Sequence, residues 1–456
     1  MQQKITDNIA GSRISVLGAG RSGMAAARLL LRHGAEVFLS EANESEELER
    51  SCSSIGHKDF DYELGGHSEQ VTAASDLIVI SPGIPLDTPV IDTARRKNIK
   101  VIGELEITSL FCENRIIAIT GTNGKSTTTS MVEAIFHAAD LQARAAGNIG
   151  VAFADVVDEL EQDETVILEV SSYQLETIEH FHPWIAAILN VRPDHLKRHK
   201  TMEEYLRCKL RIGENQDEGD LLILNGSDDY LPKCAPTGKA QIRWFNGSGH
   251  VETGAGIAND LLCYFDREKI TDILHSDQLP VPGQHNIENA LAALCAAVDA
   301  GIQPEHIAKG LRSFRGLEHR LEFVREVNGI IFINDSKATN ADSLAVALNA
   351  FTGKKVILIA GGEDKGSSLH ALNDLIRERV RALILIGEAA ERMSREWGRL
   401  SESCITAGGL EEAVSTAFEQ ADPGDAVLLS PACASFDMFQ NYEQRGEFFK
   451  QYVERL

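Results

Sequence analysis

Residues 116–127 read IIAITGTNGKST, an apolar strand that breaks into a glycine-rich turn and then into a helix predicted from Lys125 to Ala139. Glycines let a backbone bend tightly and direct its N–H groups at phosphate oxygens, while Lys125 supplies a positive charge and the Ser126 hydroxyl can ligate Mg²⁺. The turn is a shortened phosphate loop, because Ile119 stands where the general loop has its first glycine. The stretch predicts a site for the phosphates of ATP; a plain helix N-cap is the alternative.

The whole chain has 456 residues, more than one hydrophobic core usually serves, which predicts two or three domains. Its 68 acidic and 44 basic residues give a formal charge of −24, which disfavours nucleic acid and anionic membranes as partners. No stretch has the length of a membrane span and the N-terminus lacks a secretory pattern, so we expect a cytoplasmic protein without membrane insertion. Eight scattered cysteines without a CxxC pair argue against a disulfide scaffold or structural zinc.

A second glycine-rich turn lies near the N-terminus, where the strand RISVLGAG runs into GAGRSG at residues 18–23 and a helix through His33. The next strand, AEVFLS, ends at Glu41, and a further strand, DLIVI, ends in SPGIP at residues 81–85. This is the GxGxxG arrangement of dinucleotide-binding folds. Beside a second phosphate loop, the turn predicts a site for the pyrophosphate of a nucleotide sugar; a redox cofactor and a purely structural turn are the alternatives.

The rest of the chain alternates short β-branched strands with helices, which predicts mostly parallel sheets covered by helices. RIIAIT, TVILEV, WIAAILN and DLLILN end in polar residues such as Glu169 and Asn190, which should meet at the carboxyl edge of one sheet. Glu169 beside a phosphate loop is in the expected place for a Mg²⁺ ligand. From about Gly316, a third segment repeats the pattern, and the runs GGEDKG and SPACAS follow two of its strands.

A phosphate loop with a metal-binding acid indicates transfer or hydrolysis of a terminal phosphoryl group. The candidate residues for this chemistry are Lys125, Ser126, Glu169 and His195. His195 stands in a dense cluster of charged residues, which favours a ligand contact over a buried core histidine. Lys337 in NDSKATN could neutralise a phosphoryl group; a helix N-cap followed by a solvated lysine is the alternative.

Eight motifs follow one another along nearly the whole chain: GTNGKST, LEVSSYQLE, LNVRPDHLKRH, YLRCKLRI, GQHNIENALAA, RGLEHR, NDSKATN and SPACASFDMFQNYEQRG. In this order and spacing they resemble the Mur ligases of bacterial cell-wall synthesis, and SSYQLE with ACASFDMFQNYEQRG resembles the branch that adds D-glutamate. The resemblance implies a monomeric, ATP- and Mg²⁺-dependent amide ligase acting on UDP-N-acetylmuramoyl-L-alanine (UDP-MurNAc-L-Ala) and D-glutamate through an acyl phosphate.

The resemblance implies a three-domain α/β fold. Residues 1–103 would form a Rossmann-like domain for the UDP substrate, residues 104–316 a central P-loop domain for ATP, and residues 317–456 a Rossmann-like domain for D-glutamate.

The resemblance also implies roles for single residues, with every number taken from this sequence. For ATP it implies Gly121, Thr122, Asn123, Gly124, Lys125, Ser126, Thr127, Asn286, Asn289, His319, Arg320 and Asp335. For the substrates it implies Gly18, Gly20, Arg21, Ser22, Gly23, Ser81, Gly83, Asn148, Thr339, Lys365, Ser435 and Tyr442. Metal ions would be held by Ser126, Glu169, His195 and a carbamylated Lys209, and catalysis would rest on Lys125, Glu169, His195, Lys209 and Lys337.

Lys209 carries the most specific of these expectations. Addition of CO₂ would convert an ammonium, which repels Mg²⁺, into an anionic oxygen ligand. Without the resemblance, a solvated helix lysine is the simpler interpretation. The chain departs from the family at Lys197, where an acid is common, and in SEANE after the second strand, which lacks an arginine that some members place near the uracil.

Three other functions compete with this interpretation. A dehydrogenase would leave the phosphate loop unexplained, a folylpolyglutamate synthase would share the ATP chemistry, and a nucleotide-binding switch would not be an enzyme. For a ligase, we expect the third segment to close over the acyl phosphate and exclude water.

Overall fold

The computed structural model describes residues 9–148, 150–234, 238–267, 269–281, 283–351, 355–364 and 369–456. Its internal contacts divide the chain into two compact units. The first comprises Met1–Pro280 and Gln284–Phe314, and the second comprises Val281–Gly283 and Arg315–Leu456.

The first unit starts with a five-stranded parallel sheet. Its strands are β1 (Arg13–Leu17), β2 (Glu36–Ser40), β3 (Phe60–Glu63), β4 (Leu77–Ile80) and β5 (Lys100–Gly103), and its helices are α1 (Arg21–Arg32), α2 (Glu46–Ser53), α3 (Gln70–Ala73), α4 (Pro89–Arg96) and α5 (Glu104–Ser109). The strand order is β3-β2-β1-β4-β5. Ligands bind at the carboxyl ends of the strands where such an order reverses, here β1 and β4. The turns 18–23 and 81–84 follow these two strands.

The first unit continues with a nine-stranded sheet. Its strands are β6 (Ile116–Thr120), β7 (Ala143–Gly147), β8 (Thr165–Glu169), β9 (Ile185–Ile188), β10 (Leu221–Asn225), β11 (Gln241–Asn246), β12 (Thr253–Ala258), β13 (Leu261–Asp266) and β14 (Lys269–His275). Its helices are α6 (Lys125–Ala138), α7 (Phe153–Val156), α8 (Ser172–Leu175), α9 (Leu196–His199), α10 (Met202–Leu210), α11 (Gln284–Asp299) and α12 (Pro304–Ser313). The order β14-β13-β12-β11-β10-β9-β6-β8-β7 places β6 between β9 and β8. The phosphate loop after β6 therefore has Glu169 at the end of one neighbouring strand.

The edge of this sheet from β12 to β14 is antiparallel, unlike the parallel pairing from β7 to β12. This edge is a departure from the predicted parallel sheets, and it has a local cause. β12 and β13 join through Asn259 and Asp260, whose φ angles are 50° and 61°. Two consecutive left-handed residues are typical of a tight hairpin turn, which pairs neighbouring strands in opposite directions.

The second unit holds a six-stranded sheet. Its strands are β15 (Glu322–Val327), β16 (Ile330–Asn334), β17 (Val356–Gly361), β18 (Val380–Ile386), β19 (Ser403–Thr406) and β20 (Ala426–Leu429), and its helices are α13 (Ala341–Asn349), α14 (Asn373–Arg379), α15 (Ala390–Trp397), α16 (Leu410–Gln420) and α17 (Tyr442–Glu454). The order is β15-β16-β20-β17-β18-β19, and only β15 is antiparallel to its neighbour. Since β20 lies between β16 and β17, the polar runs that follow these three strands begin side by side.

The central strands are apolar along their whole length because helices cover both faces of each sheet. Every residue of LIVI in β4 and IIAIT in β6 is buried. Ala25 and Leu29 of α1 belong to the same apolar cluster as Phe153 and Val157, so the first two sheets share part of their core. The expectation of an α/β fold with mostly parallel sheets is confirmed.

All eight cysteines are free thiols. Among the described helices, none combines the length and the apolar character that crossing a bilayer requires.

Candidate active site

The phosphate loop ends in Gly124, which precedes the first residue of α6. Its φ of +86° is left-handed, and a Cβ at this position would overlap the side-chain oxygen of Asn289, so both the conformation and the space require glycine. No described side chain caps α6. A helix N-terminus without a side-chain cap, directly after a glycine-rich turn, is the arrangement that phosphate-binding helices share.

Side chains from neighbouring strands fix the shape of this loop. Asn190, which follows β9, accepts a hydrogen bond from the Asn123 N–H at 2.8 Å and donates one to the Asn123 carbonyl at 3.0 Å. The Thr122 hydroxyl contacts the backbone of Arg192 and lies 3.2 Å from the Tyr205 hydroxyl. Lys125 Nζ donates to the carbonyls of Gly121 and Thr122, at 3.0 and 2.9 Å, which keeps its charge at the loop.

Glu169 lies buried at the end of β8 and joins two parts of the site. Its Oε2 accepts a hydrogen bond from the Ser126 hydroxyl at 2.7 Å, and its Oε1 accepts one from the Asn148 carboxamide at 2.8 Å. A hydroxyl and a carboxylate in contact beside a phosphate loop are the hard oxygen donors that Mg²⁺ prefers. The donor set therefore fits Mg²⁺, which Ser126 and Glu169 would hold.

The glycine turn at residues 18–23 contains glycines of two kinds. A Cβ on Gly23 would overlap the Gly18 carbonyl, and one on Gly18 would lie 2.9 Å from Ser81, so these two are required by packing. A Cβ on Gly20 or Gly83 would meet nothing within 4 Å. The space beside Gly20 and Gly83 is open, as close approach of a ligand to the backbone needs.

Both glycine-rich turns face one cleft of about 800 Å³. It is lined by Gly18, Gly20, Arg21, Ser22, Glu41, Asn43, Ser81, Pro82, Gly83, Ile84, Gly121, Lys125, Asn148, Ser171, Ser172, Tyr173, His195, Tyr205 and Lys209. The turn after β1 and the phosphate loop after β6, which are about a hundred residues apart in sequence, thus share a single ligand-sized space.

Lys209 is 1% exposed, so the solvated-lysine interpretation is wrong. Tyr205, Cys208, Lys209 and Ile212 are all buried, which places the lysine on the apolar face of α10 and the turn after it. Its Nζ lies 4.5 Å from the centre of the Tyr205 ring. Burial, and then the charge of Lys125, hold the pKa of Lys209 well below its ordinary value. A neutral amine is the form that can add CO₂.

His195 lies at the cleft surface, before α9, with a left-handed φ of 55°. Its Nδ1 is 2.9 Å from the Tyr173 hydroxyl, and Asp194 accepts a hydrogen bond from its backbone N–H at 2.7 Å. Partial burial lowers the pKa of His195, which favours the neutral imidazole that binds metal ions. Its side chain is 45% exposed, so it is not a buried core histidine, and its ligand role stays a prediction.

The second unit gathers other predicted residues at the carboxyl ends of β16 and β20. Asp335 is buried and accepts hydrogen bonds from the Ser430 hydroxyl at 2.8 Å and the Leu321 N–H at 3.1 Å. Burial raises the pKa of Asp335 to about 7. The Lys337 N–H donates to the His319 carbonyl at 3.0 Å. His319, Asp335 and Lys337 are therefore held in one local arrangement.

Arg445 of α17 ties the loops of the second unit together. It is fully buried and donates to the Ser336 hydroxyl and carbonyl and to the carbonyls of Cys433 and Ala434. Burial lowers its pKa to about 10. The runs NDSKATN and SPACAS are thus joined by a single side chain. The sequence pattern did not single it out, because its contact with Ser336 spans 109 residues.

The structure brings many of the predicted residues together in the cleft and places others beside it. Gly18, Gly20, Arg21, Ser22, Ser81, Gly83, Gly121, Lys125, Asn148, His195 and Lys209 line the cleft, whereas Gly23 packs against the turn instead. Thr122, Asn123, Gly124, Ser126, Thr127, Glu169, Asn286 and Asn289 belong to the loop or its supporting contacts or are buried nearby. His319, Arg320, Asp335, Lys337, Thr339, Ser435 and Tyr442 lie in the second unit, and Lys365 lies outside the described residues.

Tyr173 and Tyr205 line the cleft but were not among the predicted site residues. Tyr205 had a signal, because it lies four residues before Lys209 and so shares its helix face. The Tyr173 contact with His195 depends on how α8 packs against the segment before α9, which no local pattern reports.

Comparisons with known proteins agree with this geometry. Family profiles described as "Mur ligase MurD-like, N-terminal domain", "Mur ligase middle domain" and "Mur ligase, glutamate ligase domain" match residues 12–103, 119–297 and 319–433. The chain is 43% identical over 445 residues to UDP-N-acetylmuramoylalanine--D-glutamate ligase of Acidobacterium capsulatum, covering 97% of this chain and 96% of that one. It is 42% identical to the ligase of the same name from Koribacter versatilis, covering 98% of each.

Solved structures share the fold at lower identity. UDP-N-acetylmuramate-alanine ligase MurC of Thermotoga maritima has a TM-score of 0.60 at 19% identity, covering 97% of this chain and 99% of its own. MurF ligase of Thermotoga maritima, in complex with ADP, has a TM-score of 0.59 at 15% identity, covering 99% of this chain and 97% of its own. With matching profiles over most of its length and relatives above 40% identity, the chain belongs to the Mur ligase family.

Proposed function

We propose that this chain is an ATP-dependent ligase that adds D-glutamate to UDP-MurNAc-L-Ala through an acyl phosphate, in the synthesis of peptidoglycan precursors. One observation supports the proposal more than any other: a phosphate loop and a dinucleotide-type glycine turn line one cleft together with a buried lysine. A single phosphate site would suffice for a nucleotide switch. Two such sites are expected when one nucleotide energises a substrate that carries another diphosphate. The relatives' names supply the two substrates.

The reaction needs ATP because a carboxylate is a poor electrophile and its oxygen a poor leaving group. Transfer of the γ-phosphoryl group to the carboxylate of UDP-MurNAc-L-Ala makes an acyl phosphate. The amine of D-glutamate attacks its carbonyl carbon, loses a proton, and the tetrahedral adduct expels phosphate as the amide forms. Catalysis of the first step is mostly positioning and charge neutralisation, which a rigid loop with a lysine provides.

The residues around the phosphate loop divide this work. Lys125 and the N–H groups at the start of α6 would bind the ATP phosphates, and Ser126 with Glu169 would hold Mg²⁺. A carbamate on Lys209 and the His195 imidazole would hold a second metal ion. When bound, these ions neutralise charge on the transferred phosphoryl group. Asn148, bonded to Glu169, would contact the transferred group or the substrate carboxylate.

The remaining predicted roles follow the modules of the chain. We assign residues 1–103 to the UDP moiety, 104–316 to ATP and 317–456 to D-glutamate. The profile matches at 12–103, 119–297 and 319–433 support these assignments. In the third module, Thr339, Lys365, Ser435 and Tyr442 would bind D-glutamate, Asp335 the ribose, and Lys337 the phosphoryl group. We propose a cytoplasmic monomer that uses small-molecule substrates only.

The direct test is the product mass after incubation with ATP, Mg²⁺, UDP-MurNAc-L-Ala and single amino acids. We expect an amide product and equimolar phosphate with D-glutamate, and neither with L-glutamate or when any one substrate is omitted. Phosphate release that needs no amino acid would favour a nucleotide switch. Glutamate addition to a folate would identify a folylpolyglutamate synthase. A change in NADH absorbance as a 2-oxo acid is reduced to a small hydroxy acid would identify a dehydrogenase.

A further inference from the structure

Arg21 belongs to the glycine turn after β1 of the five-stranded sheet, yet its side chain contacts the turn that follows β7 of the nine-stranded sheet. Its Nη1 donates to the Gly150 carbonyl at 2.8 Å and its Nη2 donates to the Asn148 carbonyl at 2.7 Å. One guanidinium thus spans two carbonyls of the turn that follows β7. Planar guanidinium groups suit such forked contacts, which fix orientation as well as distance.

The turn that Arg21 grips is also the turn that positions Asn148. The Asn148 backbone N–H donates to the Glu169 carbonyl at 2.9 Å, and its carboxamide donates to Glu169 Oε1 at 2.8 Å. The turn closes through a hydrogen bond from the Gly147 N–H to the Val151 carbonyl at 2.9 Å. Gly147 and Gly150 both have left-handed φ angles, 107° and 62°. Two glycines widen the range of conformations open to this turn, so each further contact that restricts it favours the observed one.

We propose that Arg21 is a positioning residue: it ties the first glycine turn to the Asn148 turn and thereby keeps the Asn148 carboxamide on Glu169. The proposal rests on the proposed function and adds a positioning role to the substrate-binding role that the resemblance implies for Arg21. Through Arg21, the glycine turn at residues 18–23 is joined by hydrogen bonds to Asn148 and so to Glu169 beside the phosphate loop. The connection spans 127 residues of sequence.

Another arginine of α1 supplies a matched control. Arg32, also on α1, donates to Asp158 at 2.7 Å and to the Ala154 carbonyl at 3.0 Å. It contacts a segment a few residues beyond the Asn148 turn, through a carboxylate and a carbonyl, and it is not among the residues that line the cleft. Arg32→Ala therefore removes an equivalent surface contact without touching the Asn148 turn.

The test compares Arg21→Ala, Arg21→Lys and Arg32→Ala with the unaltered chain. For Arg21→Ala we expect kcat to fall about tenfold to a hundredfold with KM for UDP-MurNAc-L-Ala within about threefold, because misplacement affects the chemical step more than binding. Arg21→Lys keeps the charge but cannot form the fork, so it should resemble Arg21→Ala. Arg32→Ala should keep kcat within about twofold. A rise in KM alone, or recovery in Arg21→Lys, would show a charge contact with substrate and overturn the proposal.

A second readout does not depend on which reaction the chain catalyses. Hydrogen–deuterium exchange of the Gly147 and Asn148 amides should become at least about tenfold faster in Arg21→Ala and stay unchanged in Arg32→Ala. Equal protection in all the variants would overturn the proposal even if the ligase activity were confirmed. Faster exchange in Arg21→Ala, in a chain that made no amide product, would leave the Arg21 connection standing while the proposed function failed.

Discussion

Replacement of Lys209 by methionine should make the protein more stable and nearly inactive. The lysine side chain is 1% exposed, and within the described part of the chain no carboxylate lies at ion-pair distance from its Nζ. Methionine has a similar volume and needs no solvation, whereas burying the polar amine costs about 1–3 kcal/mol. If Lys209 carries the proposed metal-binding carbamate, its loss should lower kcat by about 10²–10³-fold.

Lys209→Ala separates the effect of losing the amine from the effect of losing the packed side chain. Both variants lack the amine, but alanine leaves a cavity, so it should be less stable than methionine by about 2–4 kcal/mol. A small carboxylate such as formate fits that cavity and would take the place of the proposed carbamate. We therefore expect formate to restore part of the activity of Lys209→Ala and none of the activity of Lys209→Met, whose side chain fills the space.

The assay is urea unfolding in EDTA and CO₂-depleted buffer, combined with phosphate release in the presence of Mg²⁺ and all substrates. Removing metal and CO₂ before unfolding ensures that the unaltered chain is compared as the free amine, because a bound metal would add its own stabilisation. Lys209→Met that keeps more than about a tenth of the turnover would refute the metal-ligand role. Lys209→Met that is less stable than the unaltered chain would refute the desolvated amine.

Three further predictions concern other residues. Lys125→Ala should reduce phosphate release below about 1% with little change in the urea midpoint, because the described bonds of its Nζ are to loop carbonyls; an active variant would contradict this. Asp335 has a pKa of about 7 in the fold against an ordinary 3.8, so between these pH values the folded state binds a proton that the unfolded state has lost. The free energy of unfolding, relative to that of Asp335→Asn, should therefore fall as pH rises from about 4 to 7, by at most about 4 kcal/mol. A pH-independent difference between the two proteins would contradict a buried neutral carboxyl. Arg445→Met should destabilise the second unit by about 3 kcal/mol or more, measured by calorimetry, because the carbonyls of Ser336 and Cys433 lose this hydrogen-bond donor. A loss under about 1 kcal/mol would show that these loops keep their structure without Arg445.

The local parts of the site could be predicted from sequence because they are encoded within a dozen residues. An apolar run, a glycine-rich turn and a helix-forming stretch follow one another around Lys125, and each is recognisable from neighbouring residues alone. The predicted helix, Lys125 to Ala139, differs from α6 by one residue at its end. The antiparallel edge also had a local signal in Asn259 and Asp260, which was not used. Its glycine-poor turn does not match the commonest hairpin pair, Asn-Gly.

Contacts that join distant segments could not be predicted. Arg21 lies in a motif that indicates phosphate binding, and only the fold reveals that its guanidinium contacts carbonyls 127 and 129 residues away. Arg445 is buried although arginine is among the most exposed residue types, since the carbonyls around it satisfy its donors. The burial of Lys209 had a local signal that was not used, because Tyr205 and Ile212 lie at helical spacing from it and are hydrophobic.

The central claim is that the energy of ATP passes through an acyl phosphate of the nucleotide-sugar peptide. It is tested most directly with UDP-MurNAc-L-Ala labelled with ¹⁸O in its terminal carboxylate, incubated with ATP, Mg²⁺ and D-glutamate, followed by mass analysis of the released phosphate. The mechanism predicts one ¹⁸O atom in each phosphate, because the carboxylate oxygen that attacks the γ-phosphorus leaves with it. Phosphate without ¹⁸O, accompanied by normal amide formation, would contradict it.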